Sequence, residues 1–184
     1  MTCGHIDPGC TKCRLSKRRM HVVPGDGPCD ARIVFVGEAP GRDEDMKGVP
    51  FVGSAGKMLT AALARAGVAR SLVYCTNIVK CRPPDNRKPR KDEISACTGL
   101  YLTDELLAIR PRVICPLGQT ATEFFIDLPC GMSESVGLET ALDISGMRVR
   151  LIPSFHPAAV LYQRKKLPEF QRSILASVKA AGLA

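Results

Sequence analysis

The sequence predicts an α/β fold: a three-layer αβα sandwich around a central, mainly parallel four-stranded sheet. Three observations carry that expectation. Short apolar, β-rich runs recur at 32–38, 72–79, 112–117 and 147–153. Loops and apolar residues at helical spacing separate them, and a repeated strand–loop–helix unit builds a parallel sheet with helices on both faces. The 184 residues, 45% apolar and 24% charged, suffice for one domain with its own core, so 1–184 is expected to be a single domain.

The elements follow in order. Residues 1–30 are rich in Cys, Gly, Pro and basic side chains and are expected to be irregular. The run from Arg32 to Glu38 reads as a buried parallel strand. A Gly/Pro-rich loop covers 39–53, and Ser54 is the expected N-cap of a helix over 55–66. That helix places Met58, Leu59, Ala62, Leu63 and Ala66 on one face and stops at Gly67. After the second strand, a loop with three prolines leads into a helix from Asp92 to Ile109. The third strand is followed by Gly118 and a short helix through Phe125. Residues 127–147 are weakly patterned, irregular or a hairpin. The fourth strand and a helix near 169–181 close the chain.

Charge is the first pointer to function. The balance is +8, from 26 basic and 18 acidic residues, which favours a polyanionic partner. Half of the basic residues fall in three windows, Arg14–Arg19, Lys80–Lys91 and Arg164–Lys166. No apolar run approaches the ~18–20 residues of a membrane span, and the first residues lack a signal-peptide layout. A cytoplasmic location and no membrane partner are therefore expected. In a reducing compartment the nine cysteines are not expected to form a disulfide framework. Cys10 and Cys13 form a C-x-x-C pair, Cys81 follows the second strand, and Cys97 lies in the next helix. Four thiolates so spaced suit either zinc or an iron–sulfur cluster. Cys3, Cys29, Cys75, Cys115 and Cys130 are the other candidates, of which Cys75 and Cys115 lie in apolar strands and read as core.

In a parallel α/β sheet ligands bind at the carboxyl ends of the strands. There the sequence places Glu38, Asn77 and His156. Each alone reads as an ordinary loop or turn residue; together they favour a site. Nucleotide-phosphate motifs are absent, since 53–57 (GSAGK) fails as a P-loop and no G-x-G-x-x-G follows a strand.

Four segments then make a pattern: 37–41 (GEAPG), 48–53 (GVPFVG), 76–84 (TNIVKCRPP) and 155–159 (FHPAA). Together, in this order, they resemble the family 4 uracil-DNA glycosylases, the iron–sulfur branch of their superfamily, over roughly residues 10–175. The resemblance implies a repair enzyme that flips uracil out of single- or double-stranded DNA and hydrolyses its N-glycosidic bond. It implies a 4Fe–4S cluster on Cys10, Cys13, Cys81 and Cys97, with Cys3, Cys29, Cys75, Cys115 and Cys130 not binding the metal. Phe51 would stack on uracil, Asn77 would read its polar edge, and Glu44 would contact uracil or shape its pocket, with Gly37 and Ala39 beside it. His156 would lie by uracil O2, and Glu38 would orient the attacking water. Ala39 stands where a better-known branch carries a carboxylate, which shifts the burden to Glu38 and to stabilisation of the leaving anion. Val160 and Leu161, beside Arg164 and Lys165, suit a wedge with phosphate contacts. Uracil-containing DNA is the expected partner, and the chain is expected to act as a monomer. The run 17–21 (KRRMH) resembles a string that another branch uses for covalent trapping, but it precedes the first motif, so that chemistry is not expected. The competing readings are a non-catalytic nucleic-acid-binding iron–sulfur protein and a zinc-bearing structural domain.

Overall fold

The computed structural model describes residues 3–128 and 131–183. Its sheet has five strands in the order β2-β1-β3-β5-β4, with β1 at Ile33–Gly37, β2 at Tyr74–Asn77, β3 at Val113–Pro116, β4 at Thr140–Ile144 and β5 at Met147–Leu151. Strands β2, β1, β3 and β5 run parallel, and β4 pairs antiparallel with β5. The expected four strands are thus joined by a fifth in the weakly patterned stretch. Strand β4 is largely exposed, so no apolar run announces it. A two-residue turn with positive φ at Ser145 and Gly146 closes the hairpin, and Gly146 N–H donates to Asp143 Oδ1 at 2.8 Å.

Strand β1 is buried along its whole length and serves two cores. Ile33 and Phe35 pack with Leu59, Leu63, Phe170 and Ile174, while Val34 and Val36 pack with Leu102, Leu106 and Leu151. Successive side chains of a strand point to opposite faces, so helices cover both sides. On the first side are α2 (Ser54–Arg65), α7 (Pro157–Tyr162) and α8 (Leu167–Ala180). On the other is a long helical passage from α3 (Lys91–Cys97) through a π-helical turn at Thr98–Leu102 into α4 (Thr103–Ile109). Helices α1 (Arg42–Lys47), α5 (Gln119–Phe125) and α6 (Met132–Ser135) complete the set; α1, α6 and α7 lie in stretches where no helix was expected. The cap of α2 is Gly53, not Ser54, which is its first helical residue.

Strand β1 has β2 on one side and β3 on the other. The chain crosses from β1 to β2 on one side and then back past β1 to β3 on the other, and this reversal opens a crevice at the carboxyl ends. There the register sets Gly37 beside Asn77.

Two expectations about cysteine need correction or limit. Cys3 and Cys29 form a disulfide across a 5.4 Å Cα–Cα separation, so the chain is not disulfide-free. The compartment argument is an average over proteins, whereas here the fold sets two thiols at bridging distance. Cys130, expected not to bind metal, lies outside the described residues. Among the described residues no helix is long and apolar enough to cross a membrane.

Candidate functional site

A cavity of about 480 Å³ opens at the carboxyl ends of the parallel strands. Glu38, Ala39, Glu44, Phe51, Asn77 and His156 all line it. Gly37, expected beside uracil, is not among the lining residues; it packs behind Asn77 and Phe51, where a Cβ would stand 2.4 Å from Asn77 Oδ1 and 2.8 Å from Phe51 Cζ. Asn77 is 3% exposed, and among the described residues its carboxamide has no protein hydrogen-bond partner. No fully buried side-chain polar atom among the described residues lacks a partner, so the Asn77 carboxamide is open to the cavity, where a ligand can complete its bonding. The Glu38 carboxylate is likewise free of protein donors among the described residues, while the Glu38 carbonyl accepts from Val79 N–H at 3.3 Å.

Phe51 has φ +57°, a left-handed backbone that costs a bulky side chain energy and that the neighbouring turn must enforce. Gly56 permits this turn, because a Cβ there would meet the Phe51 carbonyl at 1.7 Å. Glu44 enforces the other side. Its carboxylate accepts from Gly41 N–H at 3.1 Å, Val52 N–H at 3.0 Å and Gly53 N–H at 2.8 Å. Glu44 thus shapes the pocket by tying two loops together.

His156 caps α7, and its Nδ1 accepts from Ala158 N–H at 3.2 Å. With Nδ1 an acceptor, the neutral ring carries its proton on Nε2. Burial pushes its pKa down to about 4, so the ring is neutral near pH 7. Gly118 lets it approach: a Cβ there would lie 2.9 Å from His156 Cβ.

Some lining residues escaped the sequence reading. Gln119 begins α5 just beyond β3, and applying the strand-end rule to the third strand would have found it. Asn86 and Arg87 come from the proline-rich loop, which no periodicity locates. Arg87 is fixed by Glu93, with contacts of 2.6 and 2.8 Å. The same arginine borders a second cleft of about 500 Å³, where Arg14, Lys17, Arg18 and Arg90 gather.

Other expected contacts are redistributed. Val160 is 0% exposed and belongs to the core, because α7 turns that face toward the sheet. It offers no surface to DNA. Leu161 is partly exposed, Tyr162 is 89% exposed, and Arg164 and Lys165 are exposed beyond them. Lys80, counted in a basic window, is 0% exposed and paired with Glu105, so it is no phosphate contact. His21 lies outside the cavity lining, its Nδ1 2.7 Å from the Asp45 carbonyl.

The four singled-out cysteines gather elsewhere. Cys10, Cys13, Cys81 and Cys97 line one small apolar cavity with Tyr101. Arg19 Nη1 points at Cys81 Sγ from 3.6 Å, and Lys80 N–H donates to Cys97 Sγ at 3.2 Å. Burial pushes the Cys81 thiol up to about 12 and the Cys97 thiol up to about 11, against which N–H donors and nearby cations pull. Among the described residues no trio of His, Cys, Asp or Glu converges tightly enough for a single metal ion. Four cysteines around one apolar cavity are a donor set that zinc or an iron–sulfur cluster uses.

Comparison with known proteins follows the same lines. Residues 24–179 match the family model described as the uracil DNA glycosylase superfamily. A type-4 uracil-DNA glycosylase of Archaeoglobus fulgidus is 48% identical over 166 residues, covering 88% of this chain and 83% of the relative. One from Saccharolobus solfataricus is 44% identical, covering 90% of this chain and 80% of the relative. One from Thermotoga maritima is 43% identical, covering 94% and 87%.

Proposed function

The chain belongs to the uracil DNA glycosylase superfamily and is a uracil-excising DNA repair glycosylase, and from that premise we propose which residues carry the reaction. The observation that carries the assignment is the convergence of an unpartnered Asn77 carboxamide, the Phe51 ring and a neutral His156 in one cavity at the strand ends. A base inside a duplex cannot enter such a pocket, so the nucleotide is extruded. Phe51 stacks on the uracil ring. Asn77 both donates and accepts along its polar edge. His156 donates from Nε2 to O2, where charge grows as the glycosidic bond breaks and its electron pair passes to uracil N1. Glu38 holds a water against the sugar cation and receives the proton that the water loses on adding to C1′. Glu44 and Gly37 act by position.

The basic cleft beside Arg87 supports a path for phosphates leading to the cavity mouth, with a second grip at Arg164 and Lys165. Leu161 and Tyr162 are the residues placed to fill the gap left by the extruded base. The test is release of free uracil from single-stranded and duplex DNA, monitored as free base and abasic sites. Binding without release points to the non-catalytic alternative.

The donor set of the thiol cavity supports a 4Fe–4S cluster, which Cys10, Cys13, Cys81 and Cys97 would hold. When bound, the cluster supplies cross-links that fix the loops carrying Arg14–Arg19 and Pro84–Arg90; it takes no part in breaking the glycosidic bond. Cys→Ala at any of the four is expected to remove most of the bound iron and its visible absorbance. Cys75→Ala and Cys115→Ala, in the buried strands, are expected to keep it. Iron analysis of the purified variants checks this, and full iron in Cys10→Ala would overturn the ligand set.

A further inference from the structure

Lys80 has no part in the chemistry above, yet it is the most deeply buried cation among the described residues. Its ammonium donates to the Asn77 carbonyl at 3.0 Å and also contacts the Thr76 hydroxyl and the Glu105 carboxylate. Glu105, also buried, accepts from the Tyr74 hydroxyl at 3.0 Å, from Thr76 Oγ1 at 3.0 Å and from Gly25 N–H at 3.2 Å. Every polar group in this knot has a partner.

Relative to apolar residues of similar volume, such a buried ion pair adds little net stability, because desolvation offsets the attraction. Its geometry is more informative. The chain from Asn77 to Cys81 is buried throughout and joins the uracil cavity to the thiol cavity in five residues. Strand β2 ends at Asn77. Beyond it the backbone is held by Ile78 N–H to the Gly37 carbonyl at 2.9 Å and by Val23 N–H to the Lys80 carbonyl at 2.7 Å. The Lys80 side chain folds back three residues to hold the Asn77 carbonyl itself.

We propose that Lys80, anchored by Glu105, is a positioning residue for uracil recognition: it clamps the Asn77 peptide so that the carboxamide keeps its bearing in the cavity. This rests on the role given to Asn77 above. The clamp touches no substrate atom and acts only through Asn77.

The experiment uses Lys80→Met together with Glu105→Gln, which removes both charges at similar volume and leaves neither ion unpaired. The readouts are melting temperature, visible absorbance of the iron-loaded protein, affinity for free uracil, and single-turnover uracil release at saturating enzyme. The folded double variant is expected to bind undamaged DNA like the wild type. It should lose on the order of 10- to 10²-fold in uracil affinity and release rate, the scale set by small misplacements of a binding group. In an Asn77→Ala background the same pair of changes should cause no further loss, since residues acting through one another are not additive. Wild-type uracil affinity in the double variant, or an equal loss in the Asn77→Ala background, would overturn the clamp. If the double variant does not fold, Thr76→Val removes only the hydroxyl linking Lys80 to Glu105. It should show a smaller loss of the same non-additive kind, and unchanged uracil affinity in it overturns the proposal. A wild-type protein that releases no uracil counts against the function instead, and free-uracil affinity still tests the clamp.

Discussion

Asn77→Asp is expected to lower uracil excision on the order of 10⁴-fold, the scale of discrimination lost when a pocket built to hydrogen-bond its substrate leaves a partner unpaired. The substitution is nearly isosteric, so the fold has no reason to change. What changes is bonding: the carboxamide donates and accepts, while the ionised carboxylate only accepts. The side chain has little room to turn away, because Gly37 packs against Oδ1 so closely that even a methyl group there would collide. Uracil O4 then meets an acceptor, and a buried acceptor–acceptor contact is repulsive. Cytosine presents an amino donor at the same place, so measurable cytosine release is expected to appear. Single-turnover rates on matched uracil and cytosine substrates decide the matter. Undiminished uracil release by the variant would remove Asn77 from recognition.

His156→Ala is expected to slow single-turnover uracil release ~10²–10³-fold, the usual effect of deleting one donor to developing negative charge. Affinity for uracil-containing DNA should change little, because the donor acts mainly in the transition state. Lys165→Ala should behave in reverse, with weaker binding, a shallower salt dependence and near-normal chemistry at saturation. The pH profile adds a second check. The pKa of His156 is lowered from 6.5 to about 4, so the donor stays in one protonation state down through the usual histidine range. No inflection from this residue is expected near pH 6.5; its loss as a neutral donor begins as pH nears about 4. The same shift affects folding. Between these two values the unfolded chain binds a proton that the folded chain does not, so stability falls as pH drops through that window. A His156 variant that cleaves at the wild-type rate once saturated would refute this division of labour.

The main site residues were legible because a parallel sheet presents its strand ends on one edge. Glu38, Asn77 and His156 each follow an apolar run, and the edge brings them together whatever the loops do. Arg87 was not legible in the same way. Its place at the cavity rim depends on the irregular path of the proline-rich loop and on Glu93, a partner buried at the start of α3. Val160 shows the limit of local reading. An apolar residue between a histidine motif and a basic run suits a wedge, but Tyr162, two residues and about half a helical turn further on, is the exposed one while Val160 is buried.

Local sequence thus determined the alternating architecture, the four parallel strands, a four-cysteine spacing suited to zinc or an iron–sulfur cluster, and the polar groups at the strand ends. These depend on hydrophobic period and short-range chain direction, which a linear sequence records directly. Tertiary structure alone decided the exposed strand β4, the Cys3–Cys29 bridge, the loop-tying role of Glu44 and the burial of Lys80 against Glu105. Each of these depends on partners distant in sequence or on which face of an element meets solvent. A lysine in a basic window and a lysine clamping a strand end look alike until the fold supplies the carboxylate, 25 residues away, that holds the ammonium inside.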